Sequence, residues 1–228
     1  MRFSRNVSRR IEAAGAVLAA ALAFAPAAWA QGDGQVADVV RRVQARFDAT
    51  LDFTANVEQK IEVVNAGRAL EAHGTVAFKR AGKMRWSLEN DEPQVIVADG
   101  RTLWFYQPTE KQVLKAPFRA AFRSSTPVSF LTGVGRLEDD FDASIAGRTE
   151  REVRLALVPK KDATEIGRLE LTVDAESYDI RAAEIRDPLG NVTRLVFSEL
   201  RRNTQLPDSL FQFEVPAGVD VVEAPIGD

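Results

Sequence analysis

The sequence predicts a mainly β protein, an unclosed antiparallel half-barrel of about eleven strands, covered by an N-terminal helix and a mid-chain helical insertion. Three observations predict it. Apolar residues alternate with period two from Phe53 almost to the C-terminus. Turn residues recur between those runs at short, regular spacing. Helical spacing is confined to one stretch before Phe53 and one near the middle of the chain.

The first thirty residues stand outside that fold. Arg2, Arg5, Arg9 and Arg10 precede an apolar run from Ala13 to Ala25, and Ala28-Trp29-Ala30 supplies a small-x-small cleavage pattern. The run has 13 residues, short of the roughly 20 that span a bilayer. Residues 1–30 therefore read as a cleavable signal peptide and residues 31–228 as one domain. Glu12 follows the Arg9-Arg10 pair, which favours ordinary secretion over a twin-arginine signal. No cysteine follows the apolar run, so the expected mature chain is exported, soluble and without a lipid anchor.

Composition narrows the chemistry. The 228 residues are 45% hydrophobic and 28% charged, with no cysteine and a single histidine, His73. Disulfide frameworks, the usual zinc sites and thiol nucleophiles are excluded. Removing the leader takes away four arginines and one glutamate, leaving 26 basic against 32 acidic residues. A net charge of about −6 disfavours nucleic acid and anionic membrane surfaces as electrostatic partners.

The first predicted element is a helix. Val36, Val39, Val40, Val43, Phe47 and Leu51 make one apolar stripe, and Asp38, Arg41, Arg42, Gln44 and Asp48 fall on the other face. Such a stripe fits either a helix packed on a core or a lid over a cavity. From Phe53 the period is two: Val76 and Phe78 share a face, as do Val153, Leu155 and Leu157, then Leu169, Leu171 and Val173, then Thr193, Leu195 and Phe197. Turns are expected at Asn65-Ala66-Gly67, Ala81-Gly82, Asp99-Gly100, Ala146-Gly147 and Pro188-Leu189-Gly190-Asn191. Between Ala116 and Phe141 the rhythm breaks. Thr126 can cap a short helix there, with Pro127 at its first position, Phe130 and Leu131 on its apolar side and Gly133 at its end. A second short helix is expected over Leu137 to Asp140.

A curled sheet of this size has one concave face. Its candidate members are Phe53, Val57, Phe78, Met84, Trp86, Ile96, Leu103, Phe105, Leu155, Leu171 and Phe197. They form either a packed core or the wall of an apolar cavity beneath the helices. Catalytic readings fail on the residues. Glu138, Asp139, Asp140 and Asp142 lack the glycine-centred loop of a calcium site and read as a solvated run. Ser124 and Ser125 have only His73 to pair with, and Ala72-His73-Gly74 reads as mid-strand with its histidine satisfied there. Gly133-Val134-Gly135 lacks the lysine of a phosphate loop. No enzyme activity, cofactor or metal is expected.

Several segments resemble a known family. Val97-Ala98-Asp99-Gly100-Arg101-Thr102-Leu103-Trp104-Phe105-Tyr106, with Pro108 and Gln112-Val113 beyond it, is similar to the signature strand pair of the LolA family. Phe53 to Gln59 resembles its first strand, and Gly74 to Arg80, leading to Trp86, its next ones. The ending from Phe211 to Val221, with Pro216-Ala217-Gly218-Val219, also fits, so the similarity runs from about Val36 to Val222. The resemblance implies a monomeric periplasmic carrier. It would take acylated lipoproteins from an inner-membrane lipoprotein-releasing ABC transporter to an outer-membrane lipoprotein acceptor. It implies that Arg80 latches the lid by hydrogen-bonding its backbone, and that Met84 and Trp86 face the cavity. Ala81 stands where the family commonly has proline, and Met84 where it commonly has an aromatic residue. The alternative is an exported half-barrel domain that binds other amphiphiles or senses mislocalised lipoproteins. The carrier task agrees with the physics. At about 0.8 kcal/mol for each buried methylene, a lipid anchor must be hidden from water.

Overall fold

The structure, a computed structural model, describes residues 28–118, 136–160 and 167–224, with side chains from residue 34 onward. Helix α1 (Ala28–Asp48) leads into β1 (Asp52–Val63), β2 (Arg68–Lys79), β3 (Lys83–Glu89), β4 (Gln94–Asp99), β5 (Thr102–Gln107) and β6 (Gln112–Pro117). A four-residue helix α2 (Leu137–Asp140) precedes β7 (Phe141–Arg148), β8 (Glu152–Pro159), β9 (Arg168–Asp174), β10 (Ile180–Arg186), β11 (Val192–Arg202) and β12 (Asp220–Glu223).

The strands form one sheet in the order β12-β6-β5-β4-β3-β2-β1-β11-β10-β9-β8-β7. Two antiparallel meanders, β1 to β6 and β7 to β11, are joined where β1 pairs with β11. β7 and β12 remain as separate edges, so the sheet is an unclosed half-barrel. The expected architecture is present, with twelve strands in place of about eleven. The shortest is β12, four residues long and parallel to β6. Four residues are too few for alternation to reveal.

Alternation fixes which side chains turn inward. In β9, Leu169, Leu171 and Val173 are buried between half-exposed Glu170, Thr172 and Asp174. Val76 and Phe78 lie opposite Trp86 and Met84 and share the concave face with them. α1 covers that face with Val39, Val40 and Val43 fully buried, each a contribution of about 1.5–3 kcal/mol.

Four local expectations are corrected. α1 ends at Asp48, so Leu51 is not on its stripe and is 61% exposed. Gln44 is buried rather than on the solvated face: its Oε1 accepts the Leu137 N–H at 3.2 Å and supports the start of α2. Ala146-Gly147 is not a turn; Gly147 lies in β7, where the register with β8 shifts, and the chain reverses at Thr149-Glu150-Arg151 instead. Glycine there marks a bulge, and Thr149 Oγ1 organises the real turn by accepting the N–H groups of Arg151 and Glu152. His73 does lie mid-strand, but its side chain is exposed on the outer face, 3.7 Å from Glu89.

A second apolar layer on the convex face was not expected. After β11 the chain turns at Asp52, whose buried carboxylate accepts the N–H groups of Thr204 and Leu206. It then crosses the outside of β3 and β4, where Arg85 reaches the Leu210 carbonyl. Phe211 is fully buried, and Phe213 sits 6.1 Å from Trp104 and 5.8 Å from Tyr106, ring centre to ring centre. Lys79 and Lys83 both bind Asp208 at 2.6 Å. Phe211-Gln212-Phe213 alternates like a strand, yet it is a strap.

Candidate functional site

The concave face carries the site, and its centre is aromatic. Phe53 stacks on Phe78 with ring centres 4.8 Å apart; Trp86 meets Phe78 edge-on at 6.0 Å and Phe197 at 6.4 Å. Edge and stacked contacts of this kind add about 0.5–1.5 kcal/mol each beyond area burial. The Trp86 indole N–H is buried and finds no hydrogen-bond acceptor among the described residues.

Of the sequence-predicted wall residues, Val57, Phe78, Met84, Trp86, Leu155, Leu171 and Phe197 are buried in one core cluster. Phe53, Ile96 and Leu103 pack against its margin. Phe105 pairs with Ile96 and so shares its face, but it lies outside that cluster, towards the β12 edge. On α1, Val39, Val40 and Val43 belong to the cluster, and Val36 and Phe47 pack on it. Phe130 and Leu131 lie outside the described residues.

The face is not filled completely. Beneath the last turns of α1 is a small open hollow, with a cavity volume of about 50 Å³, walled on its apolar side by Val43, Phe47, Phe53, Ile180, Phe197 and Leu200. A smaller one lies beside it against Phe78 and Arg80. Most of the surface facing the larger hollow is apolar, as a site for hydrocarbon requires, and Arg46, Thr50, Tyr178, Asp179 and Arg202 complete its lining. The acidic run is solvated, with Asp140 accepting the Arg136 N–H at 3.0 Å. Among the described residues no group of three or more His, Asp or Glu is placed to hold a metal ion.

Arg80 stands at the rim of the smaller, neighbouring hollow, which shares Phe47, Thr50 and Phe53 with the larger one. Its Nε donates to the Thr50 carbonyl at 2.9 Å, and Nη2 donates to the carbonyls of Phe47 and Asp48 at 3.0 Å each. A helix C-terminus leaves such carbonyls without partners inside the helix, and the helix dipole favours a cation there. Asn203 adds a further hold, donating from Nδ2 to the Ala49 carbonyl while its Oδ1 accepts the Leu51 N–H. Sequence reasoning missed Asn203, Asp179 and Arg202, which reach this end of α1 from the far meander.

Comparison with known proteins agrees with the geometry. The family model described as outer membrane lipoprotein carrier protein LolA matches residues 49–214. An outer-membrane lipoprotein carrier protein of Chromobacterium violaceum is 34% identical over 204 residues, 90% of this chain and 94% of the relative. One from Methylobacillus flagellatus is 33% identical over 186 residues, 82% of this chain and 89% of the relative. Among solved structures, an uncharacterized conserved protein from Thermus thermophilus has the same fold, with a TM-score of 0.55 at 15% identity over 84% of this chain and 99% of that one. With the family model covering most of the half-barrel and relatives one-third identical along nearly their full length, the chain belongs to the LolA family.

Proposed function

We propose that this protein is a periplasmic carrier that shields the acyl chains of lipoproteins against its concave face. It receives them from an inner-membrane ABC transporter and delivers them to an outer-membrane acceptor, after export with removal of residues 1–30. One observation carries the reading: an apolar, aromatic-centred hollow lies under a helix whose end is held by exposed hydrogen bonds from Arg80. Apolar burial supplies the affinity. A solvated arginine holding three carbonyls supplies a closure that exchange with water can undo. Transfer then follows graded affinity between carrier and acceptor, and no nucleotide hydrolysis by the carrier is needed.

Native mass spectrometry of the protein with a triacylated lipoprotein and with its deacylated form tests this. The expected result is a one-to-one complex with the acylated form alone. Equal binding of both forms, or of neither, overturns the carrier role and leaves the concave face as packed core.

A further inference from the structure

The last turns of α1 are held from two sides, and Arg80 is only one of them. On the other side is Asp179, in the turn between β9 and β10. Its carboxylate accepts Arg46 of α1 through Nε at 2.9 Å and Nη2 at 3.5 Å. The same carboxylate accepts Arg202 of β11, and Ser177 Oγ at 2.9 Å. Its side chain is only 9% exposed, against 37% for Arg46 and 21% for Arg202. Arg46, Asp179 and Arg202 line the same hollow as Phe47 and Thr50, two of the residues whose carbonyls Arg80 holds.

We propose that Asp179 is a second clasp on the lid helix, and that Arg202 is the partner that makes this clasp releasable. The lid belongs to the carrier reading, on which this inference rests. Parting a buried ion pair is costly chiefly because one charge is left stranded in a poor solvent. Here the carboxylate has two cations. When α1 lifts, Arg46 moves out with the helix into water, while Arg202 stays on the sheet and continues to neutralise Asp179. Arg46 is therefore the moving half and Arg202 the retaining half. Both are positioning residues, because neither needs to touch the cargo.

The division of labour has a signature that a merely structural ion pair lacks. Removing Arg46 leaves Asp179 paired and frees the helix. Removing Arg202 makes Arg46 the sole cation, so that lifting the helix strands the carboxylate and the lid holds harder. The two substitutions should move lid opening in opposite directions.

Stopped-flow entry of the uncharged apolar fluorophore N-phenyl-1-naphthylamine into the full mature chain tests this. R46Q and D179N should speed entry by at least about fivefold, the factor that one kcal/mol commands, and R202Q should slow it. Where R202Q does not fold by circular dichroism, R202K, which keeps a charge but loses the planar fork, should give wild-type or slower entry. Equal rates in all variants, or acceleration by both arginine substitutions, overturn the clasp. Failure of the probe to enter any variant overturns it as well. Opposite shifts in probe entry together with no lipoprotein complex in mass spectrometry would sustain the clasp and remove the carrier role alone.

Discussion

Arg80 donates to the Phe47 carbonyl at 3.0 Å, and its guanidinium also lies 5.7 Å from the centre of that residue's ring. One side chain thus grips both the backbone and the side chain of the helix that covers the hollow. The planar fork matters, because three carbonyls from different residues converge on it.

Replacing Arg80 by leucine removes all three bonds and the ring contact. Loading of acylated cargo should persist, since the larger hollow does not include Arg80 in its lining, whereas delivery to an acceptor should fall well below wild type. Stability should drop by about 1–2 kcal/mol, at the low end for charge-assisted bonds because the side chain is half exposed. Lysine should not restore delivery, since one ammonium does not reproduce the fork. A reconstituted transfer assay reads this, and normal delivery by Arg80→Leu would remove the latch role.

Gly74 sits where β2 passes close to β3. A Cβ built there would lie 1.9 Å from the Ser87 carbonyl oxygen, a backbone atom that cannot rotate away. Gly74→Ala should therefore cost about 1–3 kcal/mol, the range for forcing extra volume into a packed site. The chemical denaturation midpoint should shift down with its slope unchanged. An unchanged midpoint would show that β2 and β3 can part without loss.

Asp208 is the ionic hook of the convex strap. Hydrogen bonds from Lys79 and Lys83 hold its carboxyl down to about 2, against an ordinary value of 3.8. A carboxyl whose pKa is lower in the folded state stabilises fully above its unfolded value, and that contribution fades as pH falls from about 4 to 2. The stability difference between wild type and Asp208→Asn should be constant above about pH 5 and should vanish near pH 2. Trp104 fluorescence, which senses Phe213 of the strap, offers a local readout. A difference that grows on acidification would contradict this assignment.

Trp86 buries an indole N–H that has no acceptor among the described residues. Phenylalanine at this position removes that unsatisfied donor, a penalty of about 1–3 kcal/mol, while keeping an aromatic edge for Phe78 and Phe197. Trp86→Phe should change stability by less than about 1 kcal/mol, whereas Phe197→Ala should cost about 3–5 kcal/mol. Thermal unfolding of the two variants side by side decides it.

Much of the fold is legible because a half-barrel buries one face of each strand, and period two records that burial directly. Leu169-Glu170-Leu171-Thr172-Val173 spells out by its own alternation which side chains turn inward. Legibility fails where a residue's partner is remote in sequence. Gln44 looks solvated on a helical wheel because its acceptor role is set by Leu137, 93 residues away. The strap is misread because Phe211 and Phe213 alternate, and nothing local says that they face the outside of another strand pair. Arg80 could be placed only through family resemblance. Asp179 and Arg46 are 133 residues apart, so the second side of the grip on α1 left no local pattern to find.

The seam between β1 and β11 sets the order in which the molecule can be completed. Val57 of β1 meets Phe197 of β11 across 140 residues of chain, a separation that makes such pairing slow. Emerging N-terminus first, the six-stranded first meander can pair strand by strand, but β1 keeps an open edge of unpaired backbone N–H and C=O groups until almost the last strand has emerged. The central strand of the finished sheet is thus an exposed edge for most of the time the chain takes to emerge.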